Sequence, residues 1–310
     1  MRRVFLSIIL IALFAAVLCA CEEVGLPQNV SPAPATDADH SKEVYVYFIG
    51  GQSNAAGNGY LVDLSKEERK VEYEHVYFYS DGECLNPACK GKLLKVCAQR
   101  GQGHYAYSFG LEVGLAKIFT EEYAKDGVKR AIIKYAYDGS SIKSYSDGRD
   151  WNVYDDAGTG AHYDQFIKVA KAGLKALEEE GYTPVIKGMA WMQGETDYLV
   201  SDYQARLEAL RDKVRIDLDT PDMGFVMGEI AYANYGKINY VNNAIRKLQK
   251  KEPDLCRVVE CGGVATRCKE SECPPYQTQN GGPFDHLHWS GEELVQIGKM
   301  FGSAFVSLEG

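Results

Sequence analysis

The stretch VYFIGGQSNAAGNG, residues 46–59, carries a run of β-branched and aromatic residues straight into a Gly-Gly pair, with Ser53 just beyond it. Residues of this composition favour a strand, and glycines let the chain turn sharply at its end. Two interpretations of Ser53 follow. It caps the next segment after an ordinary turn, or the strand holds its hydroxyl out as a nucleophile. The position alone leaves both open.

Four later stretches share the strand-like composition of residues 44–49: 130–137, 185–192, 223–230 and 255–260. Helical patterns lie between or after them, at 108–124, 163–181, 201–218, 235–251 and 290–308. This alternation predicts an α/β fold, a three-layer α/β/α sandwich around a five-stranded parallel sheet covered on both faces. In such sheets the reactive side chains gather where strands end at their carboxyl edge.

The composition limits the class of partner. The chain has 310 residues, of which 45% are hydrophobic and 25% charged, enough to bury the core of one large domain. The formal net charge is −9, so neither nucleic acid nor an anionic lipid surface is expected as the main partner. An acidic domain suits a neutral substrate.

The amino-terminal segment predicts export. Residues 1–20 hold two arginines and then an apolar run that ends in small residues, which is typical of a secretory signal peptide. Cys21 follows in a Leu-Cys-Ala-Cys context that resembles a bacterial lipobox, so a lipid anchor on Cys21 and plain cleavage both remain open. Residues 21–42, with three prolines, are expected to be a flexible linker to a domain at 43–310.

The cysteines beyond Cys21 indicate disulfides, because export would place them in an oxidising compartment. Their spacing fits no C-x-x-C zinc pattern, so no metal centre is expected. The last four are predicted to close one loop with two bridges: Cys256, Cys261, Cys268 and Cys273. One of the first three, at positions 84, 89 and 97, would stay unpaired, and their pairing is open.

Polar residues follow two more of the predicted strands. Gly139 lies in an Asp-Gly-Ser turn after residues 130–137, and it could leave its backbone N–H open to a developing oxyanion. Gln193 and Glu195 follow residues 185–192, where polar side chains are hard to explain as core. Asp197, just beyond them, could simply cap a helix.

Asp285 and His288 come just before the last helix. A carboxylate three residues before an imidazole can bond its Nδ1, which leaves Nε2 to take a proton from a hydroxyl. Metal binding by His286 and His288 is a minor alternative, because nothing nearby completes a ligand set. The other histidines follow no predicted strand and are interpreted as surface or packing residues: His40, His75, His104 and His162.

These groups occur in the chain order Ser, Gly, Gln, Asp and His, and together they form a set of motifs: Gly51-Gln52-Ser53-Asn54, Asp138-Gly139-Ser140-Ser141-Ile142, Trp191-Met192-Gln193-Gly194-Glu195-Thr196-Asp197 and Asp285-His286-Leu287-His288. With these motifs the sequence resembles the SGNH hydrolase superfamily over residues 43–308. Within it, the sequence is similar to the sialate O-acetylesterase and acetylxylan esterase branch, the sixth carbohydrate esterase family.

The resemblance implies a flavodoxin-like sandwich that removes O-acetyl groups from oligo- or polysaccharides through an acyl-serine, with no metal or cofactor. It assigns Ser53 as nucleophile, His288 as base and Asp285 as the residue that orients the base, with His286 as a second candidate for base. The oxyanion hole would consist of the Ser53 amide, the Gly139 amide and the Gln193 side chain. Supporting or substrate-binding roles would fall to Gln52, Asn54 and Glu195.

Two features depart from the family pattern. Ala55 stands where members often have methionine, and residues 256–283 add four cysteines next to the segment with Asp285 and His288.

Two other functions compete with a carbohydrate esterase as interpretations of this sequence. An inactive glycan-binding surface lipoprotein would have no use for a base, and a lipase or peptidase of this fold would need an extended apolar groove.

Overall fold

The β-branched run before Ser53 forms the central strand of the molecule. A computed structural model describes residues 42–82, 86–144, 148–154, 156, 158–266 and 287–309. The strands are β1 (Glu43–Gly51), β2 (Gly59–Tyr60), β3 (Tyr73–Tyr79), β4 (Leu94–Val96), β5 (Ser108–Phe109), β6 (Lys129–Ala136), β7 (Thr183–Met192), β8 (Gly224–Gly228) and β9 (Cys256–Val259). The helices are α1 (Ser53–Ala56), α2 (Lys66–Lys70), α3 (Glu112–Asp126), α4 (Ala161–Glu179), α5 (Tyr203–Asp217), α6 (Tyr232–Tyr235), α7 (Tyr240–Lys251) and α8 (Gly291–Glu309).

The main sheet has seven strands within the described residues, not the five that the sequence predicts. Its order is β4-β3-β6-β1-β7-β8-β9, and β2 pairs with β5 in a separate small ladder. The five predicted strands are all present and parallel, in the flavodoxin order 2-1-3-4-5. The two extra strands extend one side, with β3 parallel to β6 and β4 antiparallel to β3. Neither strand has the apolar pattern by which strands are recognised in a sequence, because β4 has only three residues and β3 carries exposed or half-buried polar residues.

Helices cover both faces of the sheet, as predicted. Side chains of α3 and α8 pack on one face, and those of α4, α5 and α7 pack on the other. Strand β1 alternates between the two layers, with Tyr47 and Ile49 on the first face and Val46 and Phe48 on the second. Among the described helices, none has the length and apolar character that crossing a membrane requires.

Helix starts differ from the sequence prediction in two places. Helix α5, predicted from residue 201, begins at Tyr203, and the Asp202 side chain does not cap it. The pattern at 235–251 begins as α7 only at Tyr240, where the Asn239 side chain accepts the Asn242 N–H at 2.7 Å. This cap satisfies an otherwise unpaired amide at the helix start.

The cysteine prediction is not borne out for the described residues. Cys256 and Cys261 are free, buried thiols, as are Cys89 and Cys97. Cys256 packs in the layer of α5 and α7, whereas Cys261 packs in the layer of α8, so the sheet separates the two sulfur atoms. Cys84, Cys268 and Cys273 lie outside the described residues, as do Cys21 and the predicted signal peptide.

Helices α3 and α8 cross at two glycines. A Cβ on Gly114 would overlap the Val295 carbonyl, and a Cβ on Gly298 would overlap the Leu111 carbonyl. The two backbones can therefore touch only because neither position has a side chain. This crossing fixes α8, and α8 begins directly after the segment that carries His288.

We expect Gly298→Val to lower the free energy of unfolding by about 1–3 kcal/mol or more, because the added side chain forces the helices apart. Urea unfolding followed by circular dichroism measures the change. The control is Ser303→Val, at an exposed position of the same helix, which should shift stability by less than about 0.5 kcal/mol. Equal midpoints for the two variants would contradict the close crossing.

Candidate active site

Ser53 lies at the carboxyl end of the central strand, as the first residue of the short helix α1. Gly51 before it has φ +139°, and a Cβ there would overlap the Met192 carbonyl, so only glycine fits this turn. Gln52 bonds the turn to the end of β7. Its N–H donates to the Met192 carbonyl at 3.0 Å, and its Oε1 accepts the Gly194 N–H at 3.2 Å.

Asn54 joins three distant parts of the chain beside Ser53. Its Nδ2 donates to Glu195 Oε1 at 2.6 Å and to the Leu287 carbonyl at 2.9 Å. Leu287 directly precedes His288, so the serine turn and the histidine segment are bonded to each other through one side chain. Asp285 and His286 lie outside the described residues, and their predicted roles stay predictions.

Gly139 follows β6 at the same edge of the sheet as Ser53. It has φ +64°, and the space where a Cβ would point is open for 4 Å. Its carbonyl accepts the Thr196 hydroxyl at 3.2 Å, which anchors the turn to the loop after β7. A positive φ and an open neighbourhood allow the close approach of another molecule to this backbone.

Gln193 is buried and its amide is fully engaged. Its Nε2 donates to the Ser140 carbonyl at 3.0 Å and to the Asp197 carboxylate, and its Oε1 accepts the Tyr203 hydroxyl at 2.9 Å. Both hydrogens of the amide are therefore used inside the protein. In this arrangement the side chain braces the loops, and its oxyanion role stays a prediction.

Asp197 does not cap a helix. Its carboxylate accepts the Ser141 hydroxyl at 2.6 Å and the Ile142 N–H at 2.7 Å, both from the loop after β6. Together with its bond from Gln193, these contacts fasten the loop after β6 to the loop after β7. Gly139 lies in the first of these loops, so Asp197 holds the turn that presents it.

A buried ion pair lies beneath the serine turn. Lys134 of β6 donates to Glu112 Oε2 at 2.9 Å, and both side chains are almost wholly inaccessible. The same ammonium donates to the carbonyl of Ala56, the last residue of α1, at 2.9 Å and to that of Gln102 at 2.5 Å. Three acceptors satisfy the three donors of a lysine. Burial lowers the pKa of Lys134, and the Glu112 carboxylate opposes that shift.

Glu195 is a buried carboxyl close to His288. Burial raises its pKa above the ordinary value of 4.5, while the bond from Asn54 and the nearby imidazole of His288 oppose the shift. The bond from Asn54 joins this buried carboxyl to the turn that bears Ser53.

A second histidine and carboxyl pair lies at the same edge. His104 Nε2 is 3.3 Å from Asp138 Oδ2, and a positive charge on His288 would lower the pKa of both groups. Burial lowers the pKa of His104 and raises the pKa of Asp138, and each group partly offsets the shift of the other. Both burial effects favour the uncharged forms.

Sequence reasoning missed several residues of this edge. His104 follows no strand and was interpreted as surface or packing, but it contacts the Asp138-Gly139 turn. Lys134 was hidden inside an otherwise apolar strand pattern, and a single lysine between Ile133 and Tyr135 was the available signal. The packing interpretation holds for His162, whose Nδ1 is 2.8 Å from the Tyr135 hydroxyl in the core.

Comparison with known proteins decides the family. The model of the family described as carbohydrate esterase, sialic acid-specific acetylesterase, matches residues 43–307. The chain belongs to this family. Its members are carbohydrate esterases by that description, which supports a hydrolase that acts on acetyl esters. A comparison with curated proteins found no match.

Solved structures share the fold at low sequence identity. The structure of NanS has a TM-score of 0.60 at 15% identity, with 86% of this chain and 98% of that chain covered. A protein from Arabidopsis thaliana has a TM-score of 0.59 at 17% identity, with 85% and 98% covered. A carbohydrate acetylesterase from Xanthomonas citri has a TM-score of 0.50 at 16% identity, with 84% and 55% covered.

No group of three or more histidine, cysteine, aspartate or glutamate side chains in the described part of the esterase is arranged to hold a metal ion. The polar groups at the edge bond instead to one another and to backbone. What the site offers is a hydroxyl at a strand end, a nearby imidazole and an open backbone turn. These are the parts that acyl transfer to serine requires.

We expect Lys134→Met to destabilise the esterase by about 3–5 kcal/mol, because it leaves the Glu112 carboxylate buried without its partner. The double variant Lys134→Met with Glu112→Leu should recover part of that loss, since no buried charge remains. Urea unfolding of the four proteins gives the coupling energy. Strictly additive losses would show that the two side chains do not depend on each other.

Glu195→Gln tests the buried carboxyl through pH. Because the folded-state pKa is raised, the folded protein holds a proton that the unfolded chain has lost, so stability falls as pH rises above about 4.5. Gln keeps an acceptor for Asn54 and does not titrate. The stability of Glu195→Gln relative to the native protein should therefore increase with pH, as measured by urea unfolding at a series of pH values.

The matched control is Glu67→Gln, which removes the same charge from an exposed position on α2. Its stability difference from the native protein should change less with pH than that of Glu195→Gln. If the two variants follow parallel curves, the carboxyl of Glu195 is not held in the protonated form by burial.

Proposed function

We propose that this esterase removes O-acetyl groups from carbohydrates through an acyl-serine on Ser53. One observation carries the proposal: the Asn54 side chain bonds the turn that bears Ser53 to the residue before His288. The contact supports a nucleophile and a base that act at one edge, although more than 230 residues separate them. Family membership favours this reading over an inactive glycan-binding protein.

In the proposed mechanism, His288 takes the proton of the Ser53 hydroxyl as Ser53 Oγ attacks the acetyl carbonyl. The carbonyl oxygen becomes an oxyanion, and the backbone N–H groups of Ser53 and Gly139 stabilise it. His288 then returns the proton to the sugar oxygen, which leaves as a hydroxyl. A water molecule attacks the acetyl-serine in the same way and releases acetate.

Two carboxyl groups have separate roles in this proposal. Asp285 orients the imidazole, as the resemblance implies, and Glu195 supports the edge by accepting the hydrogen bond from Asn54. Glu195 does not react, because its Oε1 is held by Asn54 and its carboxyl is buried. The acetylated sugar is of the acetylxylan or the sialic acid type. Acetate release from acetylxylan compared with O-acetylated sialic acid distinguishes the two.

We also propose that the domain acts outside the cytoplasm, where acetylated polysaccharides are found. This rests on residues 1–20 and Cys21 alone. Mass analysis of the mature amino terminus tests it: a diacylated Cys21 indicates an anchored enzyme, and an unmodified terminus near residue 21 indicates a secreted one. A mature protein that begins at Met1 would contradict export.

Ser53→Ala should reduce acetate release from 4-nitrophenyl acetate and acetylxylan by at least about 10³-fold, because it removes the attacking hydroxyl. His288→Gln should have an effect of similar size. The measurement is kcat/KM with each substrate, alongside circular dichroism to verify folding.

The controls replace the same residue types elsewhere. Ser303→Ala changes an exposed position of α8. His75→Gln changes a residue of β3 whose ring stacks on Tyr123. Both should keep the native kcat/KM within about twofold. Native rates in Ser53→Ala would end the proposal.

A further inference from the structure

A row of stacked tyrosines lies beside the candidate active site, with its far end buried at Tyr60 and its middle member exposed. The ring of Tyr105 packs edge-on against His104 at 4.1 Å between centroids. Tyr107 stacks on Tyr105 at 5.2 Å with 7° between the ring planes, and Tyr60 stacks on Tyr107 at 5.7 Å. We name these three residues the tyrosine row. Its middle member, Tyr107, is 46% exposed, which is high for a large aromatic side chain.

At Tyr105, the tyrosine row contacts the edge of the sheet that carries Ser53. His104 contacts Asp138, the residue before Gly139, and its backbone N–H donates to the Gly57 carbonyl at 2.8 Å just beyond α1. The row therefore begins at the residues that border Ser53 and Gly139.

The His104–Asp138 pair has hydrogen-bonding capacity left over. His104 Nδ1 and Asp138 Oδ1 are both buried and have no hydrogen-bond partner among the described residues. Buried polar atoms of this kind are costly unless they are paired. Both atoms can bond to a hydroxyl group, because a hydroxyl donates as well as accepts.

The chemistry of this surface matches a sugar chain. A pyranose ring has apolar C–H faces and a rim of hydroxyls, so it packs on aromatic rings while its hydroxyls bond to polar side chains. Tyr107 and the half-buried Tyr105 supply the first kind of contact, with the buried Tyr60 supporting Tyr107 from behind, and the His104–Asp138 pair supplies the second. Mutual stacking also fixes the orientation of the rings, so that little side-chain freedom is lost on binding.

We propose that His104, Asp138 and the tyrosine row form a subsite for the sugar units next to the acetylated one. The preferred substrate is then an acetylated oligosaccharide or polysaccharide, rather than an acetylated monosaccharide. This inference rests on the proposed function, because it takes Ser53 as the point of ester cleavage. It adds that affinity comes from sugar units that do not react.

The test compares long and short substrates with the same acetyl chemistry. One pair is acetylated xylohexaose and acetylated methyl xyloside, and the other is O-acetylated sialyllactose and free O-acetylated sialic acid. The native enzyme should have a higher kcat/KM on the longer member of the pair it hydrolyses. Tyr107→Ala and His104→Ala should each reduce the long-to-short ratio by about threefold to tenfold.

Two controls separate binding from structure. Tyr107→Phe keeps the stacked ring and should retain most of the ratio. Tyr123→Ala removes a stacked tyrosine at the opposite end of the sheet, near the start of β6, and should leave the ratio unchanged. A loss of kcat/KM that is equal on both members of a pair would indicate damage to the fold and would overturn the subsite.

A binding measurement keeps the inference separate from the proposed function. Titration calorimetry of Ser53→Ala with the same pairs reports length preference without hydrolysis. Tighter binding of the longer member, weakened by Tyr107→Ala, supports the subsite even if the native protein releases no acetate. Equal affinity for both members overturns the subsite, whereas absence of acetate release by the native protein overturns only the proposed function.

Discussion

The arrangement of the active edge depends on one side-chain amide, that of Asn54. It donates to the Glu195 carboxyl and to the Leu287 carbonyl, and it directly follows Ser53. Residues from three separate loops are thereby held around one serine. Hydrogen bonds to a buried carboxyl are among the stronger ones in proteins, and the second bond of the same amide fixes the position of the segment that carries His288.

Ionisable groups are buried close to the bonds that Asn54 makes. Lys134 and Glu112 lie beneath α1, and Glu195 lies beside the histidine. Buried charge seldom adds to stability, because desolvation offsets the attraction between the charges. Such groups are better understood as devices that select one conformation. The Lys134 ammonium donates three hydrogen bonds, one of them to the Ala56 carbonyl, and so holds the end of the serine turn in one position. The apolar layers on both sheet faces offset the desolvation cost of burying its charge.

The loops that are held together by polar side chains also carry residues of the proposed sugar subsite. The loop after β6 provides Asp138 and Gly139, while Asp197 and Gln193 hold that loop to the next strand end. The same turn positions Asp138 against His104. The geometry thus links the edge that carries Ser53 to the tyrosine row through contacts between neighbouring loops.

The layered α/β fold, the five central strands, the Gly-Gln-Ser-Asn turn and the order of the polar motifs could all be predicted from the sequence. These features are local: they depend on composition, periodicity and the short range of turn chemistry. Strands β3 and β4 could not be predicted, because β4 has only three residues and the polar side chains of β3 interrupt the apolar pattern. The free thiols of Cys256 and Cys261 could not be predicted either, since only the sheet between them shows that the two do not meet.

What the sequence by itself determined is therefore the family motifs that the chain carries and the kind of fold in which they sit. Only the tertiary structure decided which of them touch: Asn54 with Leu287, Lys134 with Glu112 and His104 with Asp138. The physical reason is that parallel strands bring their carboxyl ends together whatever their separation along the chain. Contacts across that edge are set by strand order and packing, which no local pattern encodes.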